Sequence, residues 1–165
     1  MKYKCLKLVT FDATNTLLKF RSPPWNHYAI VAREYGFKGT ETDVKNCLLD
    51  SYNVMLEKHP NFGRSTISWK ECGFCKPSKE IFDYAISRSD KSIKASECLH
   101  IGDDLEKDYY GARNAGWHAV IVSESSKVAN TENPPAVDHV FRNLDELSLC
   151  IEGNKLNLHH CCFAF

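Results

Sequence analysis

The sequence predicts an α/β domain built on a mainly parallel sheet. From Lys76 onward, short apolar runs alternate with helical patterns, the order that a parallel sheet with crossover helices requires. Two apolar runs, Leu6 to Phe11 and Cys98 to Ile101, end abruptly in polar stretches that begin at Asp12 and at Gly102-Asp103-Asp104. Ligands of such sheets bind beyond the carboxyl ends of the strands, and Asp12 and Asp103 both fall there.

Taken in order, Leu6 to Phe11 reads as a buried strand running into Asp12-Ala13-Thr14-Asn15-Thr16. Pro23-Pro24 opens a helix in which Trp25, Tyr28, Ala29, Ala32 and Tyr35 recur at helical spacing, and Gly36 stops it. This aromatic stripe is expected to serve helix packing. Thr40, with Asp43 three residues on, starts a second helix through a weak capping box, and Val44, Cys47, Leu48, Tyr52, Met55 and Leu56 give it one apolar face. Residues 60–69 are polar and irregular. A third helix follows Lys76-Pro77-Ser78 and buries Ile81, Phe82, Tyr84 and Ala85. Cys98 to Ile101 is a strand, 108–115 a helix stopped by Gly116, and Trp117 to Val122 another strand. Residues 138–141 are expected as an edge strand and 144–151 as a last helix. Residues 154–165 show no clear period.

A chain of 165 residues suits one domain, which buries roughly two-thirds of its surface. Lys+Arg and Asp+Glu stand at 21 each, so there is no broad electrostatic drive toward nucleic acid or an anionic membrane. The N-terminal apolar run is too short for a signal peptide, and nothing approaches the ~20 apolar residues of a membrane span. The expectation is a soluble, intracellular protein of the cytoplasm, the nucleus or both, with no nucleic-acid or membrane partner; a protein partner is left open. Eight cysteines (Cys5, Cys47, Cys72, Cys75, Cys98, Cys150, Cys161 and Cys162) are expected as free thiols. Cys72-x-x-Cys75 lacks a second pair at finger spacing, and His159-His160-Cys161-Cys162 is too remote in sequence to complete a site. His100 and His118 lie in strand-like runs and read as packed or edge histidines.

The acidic strand ends suit phosphoryl chemistry. A carboxylate can attack phosphorus, Mg²⁺ binds through one or two carboxylates and phosphate oxygens, and a lysine adds a point charge. Asp12 stands at one strand end, Asp103, Asp104 and Asp108 at another, and Lys76 between them in sequence. Asp104 and Glu106 read as helix-start charges favoured by the dipole.

Three stretches, in order, carry a resemblance. They are Leu8-Val9-Thr10-Phe11-Asp12-Ala13-Thr14-Asn15-Thr16-Leu17-Leu18, then Gly73-Phe74-Cys75-Lys76-Pro77-Ser78-Lys79-Glu80-Ile81-Phe82, then residues 100–116 with Gly102-Asp103, Asp108 and Gly111-Ala112 through Ala115-Gly116. Together they resemble the first, third and fourth motifs of the haloacid dehalogenase (HAD)-like hydrolase superfamily, in its subfamily with a helical cap. The wording Phe-Asp-Ala-Thr-Asn-Thr-Leu-Leu and the later Gly-Trp-His resemble most the branch typified by the rhythmically expressed gene 2 protein and haloacid dehalogenase-like hydrolase domain-containing protein 3.

The resemblance implies a HAD-like, Rossmann-type three-layer sandwich with a reduced helical cap: core at 1–20 and 71–153, partial cap at 21–70, tail at 154–165. It implies Mg²⁺ as cofactor and a small phosphorylated metabolite as substrate. Asp12 would be nucleophile and metal ligand, Thr14 would give its backbone carbonyl to the metal, and Asp103 would be the second carboxylate ligand, with Asp108 or Asp104 supporting through water. Lys76 and Thr16 would hold the phosphate, Lys76 also holding Asp12, and Gly102 would let the backbone turn close by.

Two departures bear on activity. Thr14 occupies the position where most HAD phosphatases carry an aspartate acting as general acid and base, help worth ~10²–10⁴-fold, and a threonine does not titrate near neutral pH. Asp12 and Lys76 are 64 residues apart, with no apolar strand ending in Ser or Thr between them. Ser65, Thr66 and Ser68 lie in a polar stretch and are poor substitutes for the second motif. Part of the cap and one core strand, roughly 60–70 residues against ~30 for one βα unit, read as missing. The expected function is a weak Mg²⁺-dependent phosphatase working through an aspartyl-phosphate on Asp12. The alternative is an inactive HAD-like binding protein or an unproductive truncated isoform. A missing βα unit would leave faces uncovered and an edge open, so low stability and a tendency to aggregate are expected.

Overall fold

The computed structural model describes residues 6–58, 73–123, 128 and 134–158. Cys5, Ser65, Thr66, Ser68, Cys72 and 159–162 lie outside them. The chain divides into two compact units, residues 1–19 with 74–165, and residues 20–73.

The first unit carries a parallel sheet whose four strands, among the described residues, follow the order β1 (Leu8–Phe11), β2 (Cys98–Gly102), β3 (His118–Val122), β4 (Val140–Phe141). Leu8 pairs with Cys98, Thr10 with His100 and Phe11 with Ile101, so β1 lies beside a strand about 90 residues later. Helix α3 (Lys79–Ser89) precedes β2. A wide π-type turn of helix, Leu105–Tyr110, continues as α4 (Gly111–Asn114) between β2 and β3. Helix α5 (Leu144–Glu152) follows β4, its N-cap Asn143 accepting a hydrogen bond from the Glu146 amide at 2.8 Å.

Successive strand residues point to opposite faces, and the core divides accordingly. Cys98, Ala119 and Ile121 pack with Phe82, Tyr109, Ala112 and Trp117 on one face. Leu99, Ile101, Val120 and Val122 pack with Phe141, Leu147, Leu156 and Leu158 on the other. This is the expected three-layer α/β arrangement. Leu156 and Leu158 lie in the stretch for which periodicity assigns no element. They are held by His139, whose Nε2 donates to the Asn157 carbonyl at 2.8 Å while Nδ1 meets the Tyr109 hydroxyl at 2.9 Å. Val9 and Phe11 share the second face by register with Leu99 and Ile101, yet each is 44% exposed. Apolar cover over that face thins toward β1, where the sequence predicts a lost unit.

The second unit contains α1 (Pro24–Glu34) and α2 (Glu41–Lys58). Pro24 sits at the first turn of α1, where a missing N–H costs nothing. The capping box of α2 is complete. The Thr40 amide donates to Asp43 Oδ2 at 2.7 Å, and the Asp43 amide returns to Thr40 Oγ1 at 3.2 Å. The aromatic stripe of α1 does not pack as a stripe. Ala29 is buried, Trp25 lies under the Lys45 ammonium at 5.1 Å from the ring centroid, and Tyr28 and Tyr35 are exposed. One neighbouring helix is too narrow to cover residues spread this far around α1.

Among the described residues no helix is long and apolar enough to cross a membrane. Described cysteines Cys47, Cys75, Cys98 and Cys150 are free thiols.

Candidate functional site

Parallel pairing of β1 with β2 brings Asp12 and Gly102-Asp103-Asp104 to adjacent strand ends. The ladder extends one residue past β1, the Asp12 amide donating to the Ile101 carbonyl at 2.8 Å. Lys76, just before α3, sends its ammonium between two carboxylates, 2.5 Å from Asp12 Oδ1 and 2.5 Å from Asp108 Oδ1. Asp12, Asp103 and Asp108 offer oxygens that all lie within 4.8 Å of one another.

Asp108 is the best anchored of the three. Its side chain is 1% exposed. Oδ1 accepts from Lys76 Nζ and, at 3.2 Å, from His100 Nε2; Oδ2 accepts from the amides of Asp103 at 3.1 Å and Asp104 at 2.9 Å. An ionised carboxylate has about four acceptor positions, so all are taken. Asp12 and Asp103 are the carboxylates with oxygens left over. Asp104 caps the π-type turn, its Oδ1 accepting from the amides of Glu106 at 3.0 Å and Lys107 at 2.9 Å. Glycine is required where these backbones converge. A Cβ on Gly102 would overlap the Asp108 carboxyl, and one on Gly111 would stand 3.0 Å from Pro77 Cα.

Burial alone would raise the Asp108 pKa, but the bonds from His100, Lys76 and the Asp104 amide pull it down to about 2. Burial works against the Lys76 charge too, and is outweighed by Asp108 and Asp12, which hold its pKa above the ordinary lysine value. Asp103 goes the other way: burial, then repulsion from Asp108 and Asp12, raise its pKa. The ammonium pairs with Asp12 and Asp108, and Asp103, beside them, has no such cation partner to offset the repulsion. An added cation would relieve it, and hard oxygen donors of this kind fit Mg²⁺.

Thr16 is buried, its hydroxyl 3.5 Å from Asp103 Oδ1, at the outer limit for a hydrogen bond. Thr14 is exposed in the bend after Asp12, bridged to Leu18. The structure thus gathers Asp12, Lys76, Asp103 and Asp108, with Thr16 beside Asp103, while Thr14 is exposed in the bend that follows Asp12. A depression of about 380 Å³ opens beside them, walled in part by Thr16, Asp103, Val122 and Ser123. The residue that sequence reasoning missed is His100. It is buried as expected, but it contacts Asp108, and Thr10 Oγ1 lies 2.8 Å from its Nδ1. The available signal was its place two residues before Gly102, on the strand that delivers Asp103.

The HAD-hydrolase-like family model matches residues 73–147, the stretch holding Lys76, Asp103 and Asp108. The rhythmically expressed gene 2 protein of Drosophila melanogaster is 23% identical over 239 aligned positions, covering 84% of this chain and 92% of that protein. Since 84% of 165 residues is about 139, on the order of 100 of those positions have no counterpart here, more than the 60–70 that the motif spacing suggests. Glyceraldehyde 3-phosphate phosphatase of Methanocaldococcus jannaschii is 31% identical over 102 positions, covering 62% of this chain and 43% of that protein. A crystal structure of a HAD phosphatase from Thermococcus onnurineus aligns at a TM-score of 0.42 and 29% identity, over 54% of this chain and 38% of that one. With the motif residues clustered at the ends of β1 and β2 and a family model matching the third and fourth motifs, the chain is similar to the HAD-like superfamily over residues 73–147.

Proposed function

We propose that the chain is a slow, Mg²⁺-dependent phosphomonoester hydrolase that uses Asp12 as nucleophile. The observation that carries this reading is the Lys76 ammonium held between Asp12 and Asp108, beside an Asp103 carboxyl strained by like charge. Asp12 and Asp103 would hold the ion. Bound there, Mg²⁺ would neutralise charge on a phosphoryl group and on the attacking carboxylate.

The chain's own residues account for the remaining steps. Lys76 holds Asp12 through Oδ1, leaves its other oxygen for the attack, and adds a positive charge beside it. Asp12 attacks phosphorus; a P–O bond forms to its carboxylate as the ester P–O bond breaks, and the leaving alkoxide takes the electron pair. Thr14 has no proton to give at neutral pH, so that alkoxide is protonated by solvent. Water then attacks phosphorus, the acyl phosphate P–O bond breaks, inorganic phosphate leaves, and Asp12 is restored. The second half-reaction lacks a general base at position 14, so the aspartyl-phosphate should be long-lived. The relative from Methanocaldococcus jannaschii, named as a phosphatase, supports the reaction class. By chain position, residues 21–70 are proposed as the remnant of a helical cap.

Thr14 also favours a second reading, a HAD-like protein that binds phosphorylated ligands without turnover. Incubation of the purified chain with Mg²⁺ and p-nitrophenyl phosphate, beside Asp12→Asn, separates the two. Phosphate release that depends on Mg²⁺ and disappears in Asp12→Asn is expected. A folded chain that releases none supports the binding reading and overturns the hydrolase.

A further inference from the structure

His100 is more than a core histidine. Its side chain is 6% exposed, its ring meets Phe82 edge-on at 5.5 Å between centroids, and both ring nitrogens have partners. Those partners fix where its proton sits. The other partners of Asp108, the Lys76 ammonium and the amides of Asp103 and Asp104, are all donors, so the Asp108 carboxylate accepts throughout. The bond between His100 Nε2 and Asp108 Oδ1, at 3.2 Å, therefore needs the proton on Nε2. The Thr10 hydroxyl, 2.8 Å from Nδ1, holds the ring from its other side.

We propose that His100 is a positioning residue: by donating from Nε2 to Asp108 Oδ1, with Thr10 fixing the ring, it orients the carboxylate that aims Lys76 at Asp12. The inference rests on the hydrolase reading only for what the aimed lysine then does. Three of the donors on Asp108 come from a long side chain and from its own loop: the Lys76 ammonium and the two amides of the loop that Asp108 itself tethers. His100 is the one donor delivered by the middle of a central strand. It ties the carboxylate to the sheet rather than to the loop, and outer partners of this kind are worth about 10–100-fold in activity. Thr10 sits opposite His100 in the β1–β2 register, so the strand that ends in Asp12 also steers the group that steers Lys76.

The test has two arms. Side-chain ¹H–¹⁵N correlation on protein labelled at histidine reads the proton without any catalysis. His100, identified by loss of its signals in His100→Gln, should show a protonated Nε2, and Thr10→Val should shift its Nδ1 signal. A bare Nε2 with the proton on Nδ1 overturns the proposal. The kinetic arm uses p-nitrophenyl phosphate and Mg²⁺. His100→Phe keeps the ring against Phe82 but removes both hydrogen bonds, and kcat should fall by about 10–100-fold with KM changed less than about threefold. His100→Gln, which returns an N–H near Nε2, should recover at least about a third of the wild-type kcat. Equal loss in the two variants, or a loss carried by KM, also overturns it. A wild-type chain that releases no phosphate while His100 shows the Nε2 proton refutes the hydrolase reading and leaves His100 as the residue that orients Asp108.

Discussion

The Lys76 ammonium lies 2.5 Å from Asp12 Oδ1, although 64 residues separate the two. That contact joins the first strand to the turn before α3, and most of the site depends on it. Replacing Lys76 by methionine should leave Asp12 and the buried Asp108 facing each other without a cation. Breaking such a pair costs about 3–5 kcal/mol when both partners are buried; since Lys76 and Asp12 keep some exposure, about 2–3 kcal/mol is expected here. Urea unfolding of Lys76→Met checks this, and phosphate release should vanish with it.

Asp103→Asn should act in the opposite sense on the metal-free chain. The native carboxyl is disfavoured by burial and by its neighbours Asp108 and Asp12. Removing its charge should stabilise the chain in EDTA by a few tenths to about 1 kcal/mol, read as a higher Tm. The same variant should lose the increase in Tm that Mg²⁺ gives the native chain. If Mg²⁺ raises Tm equally in both, Asp103 is not a ligand.

Acid stability should carry the signature of Asp108. Its folded pKa of about 2 lies below the ordinary 3.8. Its contribution, roughly 2 kcal/mol, is therefore complete above about pH 4 and drains away as pH falls toward 2. Urea midpoints measured from pH 6 to pH 2.5 should show this decline in the native chain. Asp108→Asn should start less stable and show a shallower acid limb.

Thr14→Asp offers a gain of function. The side chain is exposed, so the substitution should cost little stability. It would place a titratable group at the position where the superfamily keeps its general acid and base, and phosphate release should rise by about 10–100-fold. Unchanged turnover would show that the missing general acid is not what limits this chain.

Much of the fold is legible in the sequence because it is local. The alternation of strands and helices, the Thr40–Asp43 box and the proline at the start of α1 are each written within a few residues. The cluster of Asp12, Lys76, Asp103 and Asp108 was legible through motif order. What the sequence hides is long-range. His100 reads as a buried strand residue until β1 is placed opposite it and puts Thr10 at its Nδ1. The edge strand expected at 138–141 shrinks to Val140–Phe141 because His139 is drawn into a 3₁₀ turn, Val137–His139, by Tyr109 and the Asn157 carbonyl. The helix expected from 108 begins at Leu105, since the Asp104 side chain caps a turn that periodicity does not register.

The register of β1 against β2 also sets the order in which this protein can be made. β1 is synthesised early, yet its partner comes about 90 residues later. At 5–20 residues per second, β1 waits on the order of 5–20 s for a neighbour. Throughout that interval Val9 and Phe11 have no strand to lie against, and they stay half exposed even in the finished sheet. Long-range pairing of this kind is slow to nucleate. The strand that leads into Asp12 is therefore also a segment with a long claim on a ribosome-bound chaperone, and the chain's yield in cells should depend on that service.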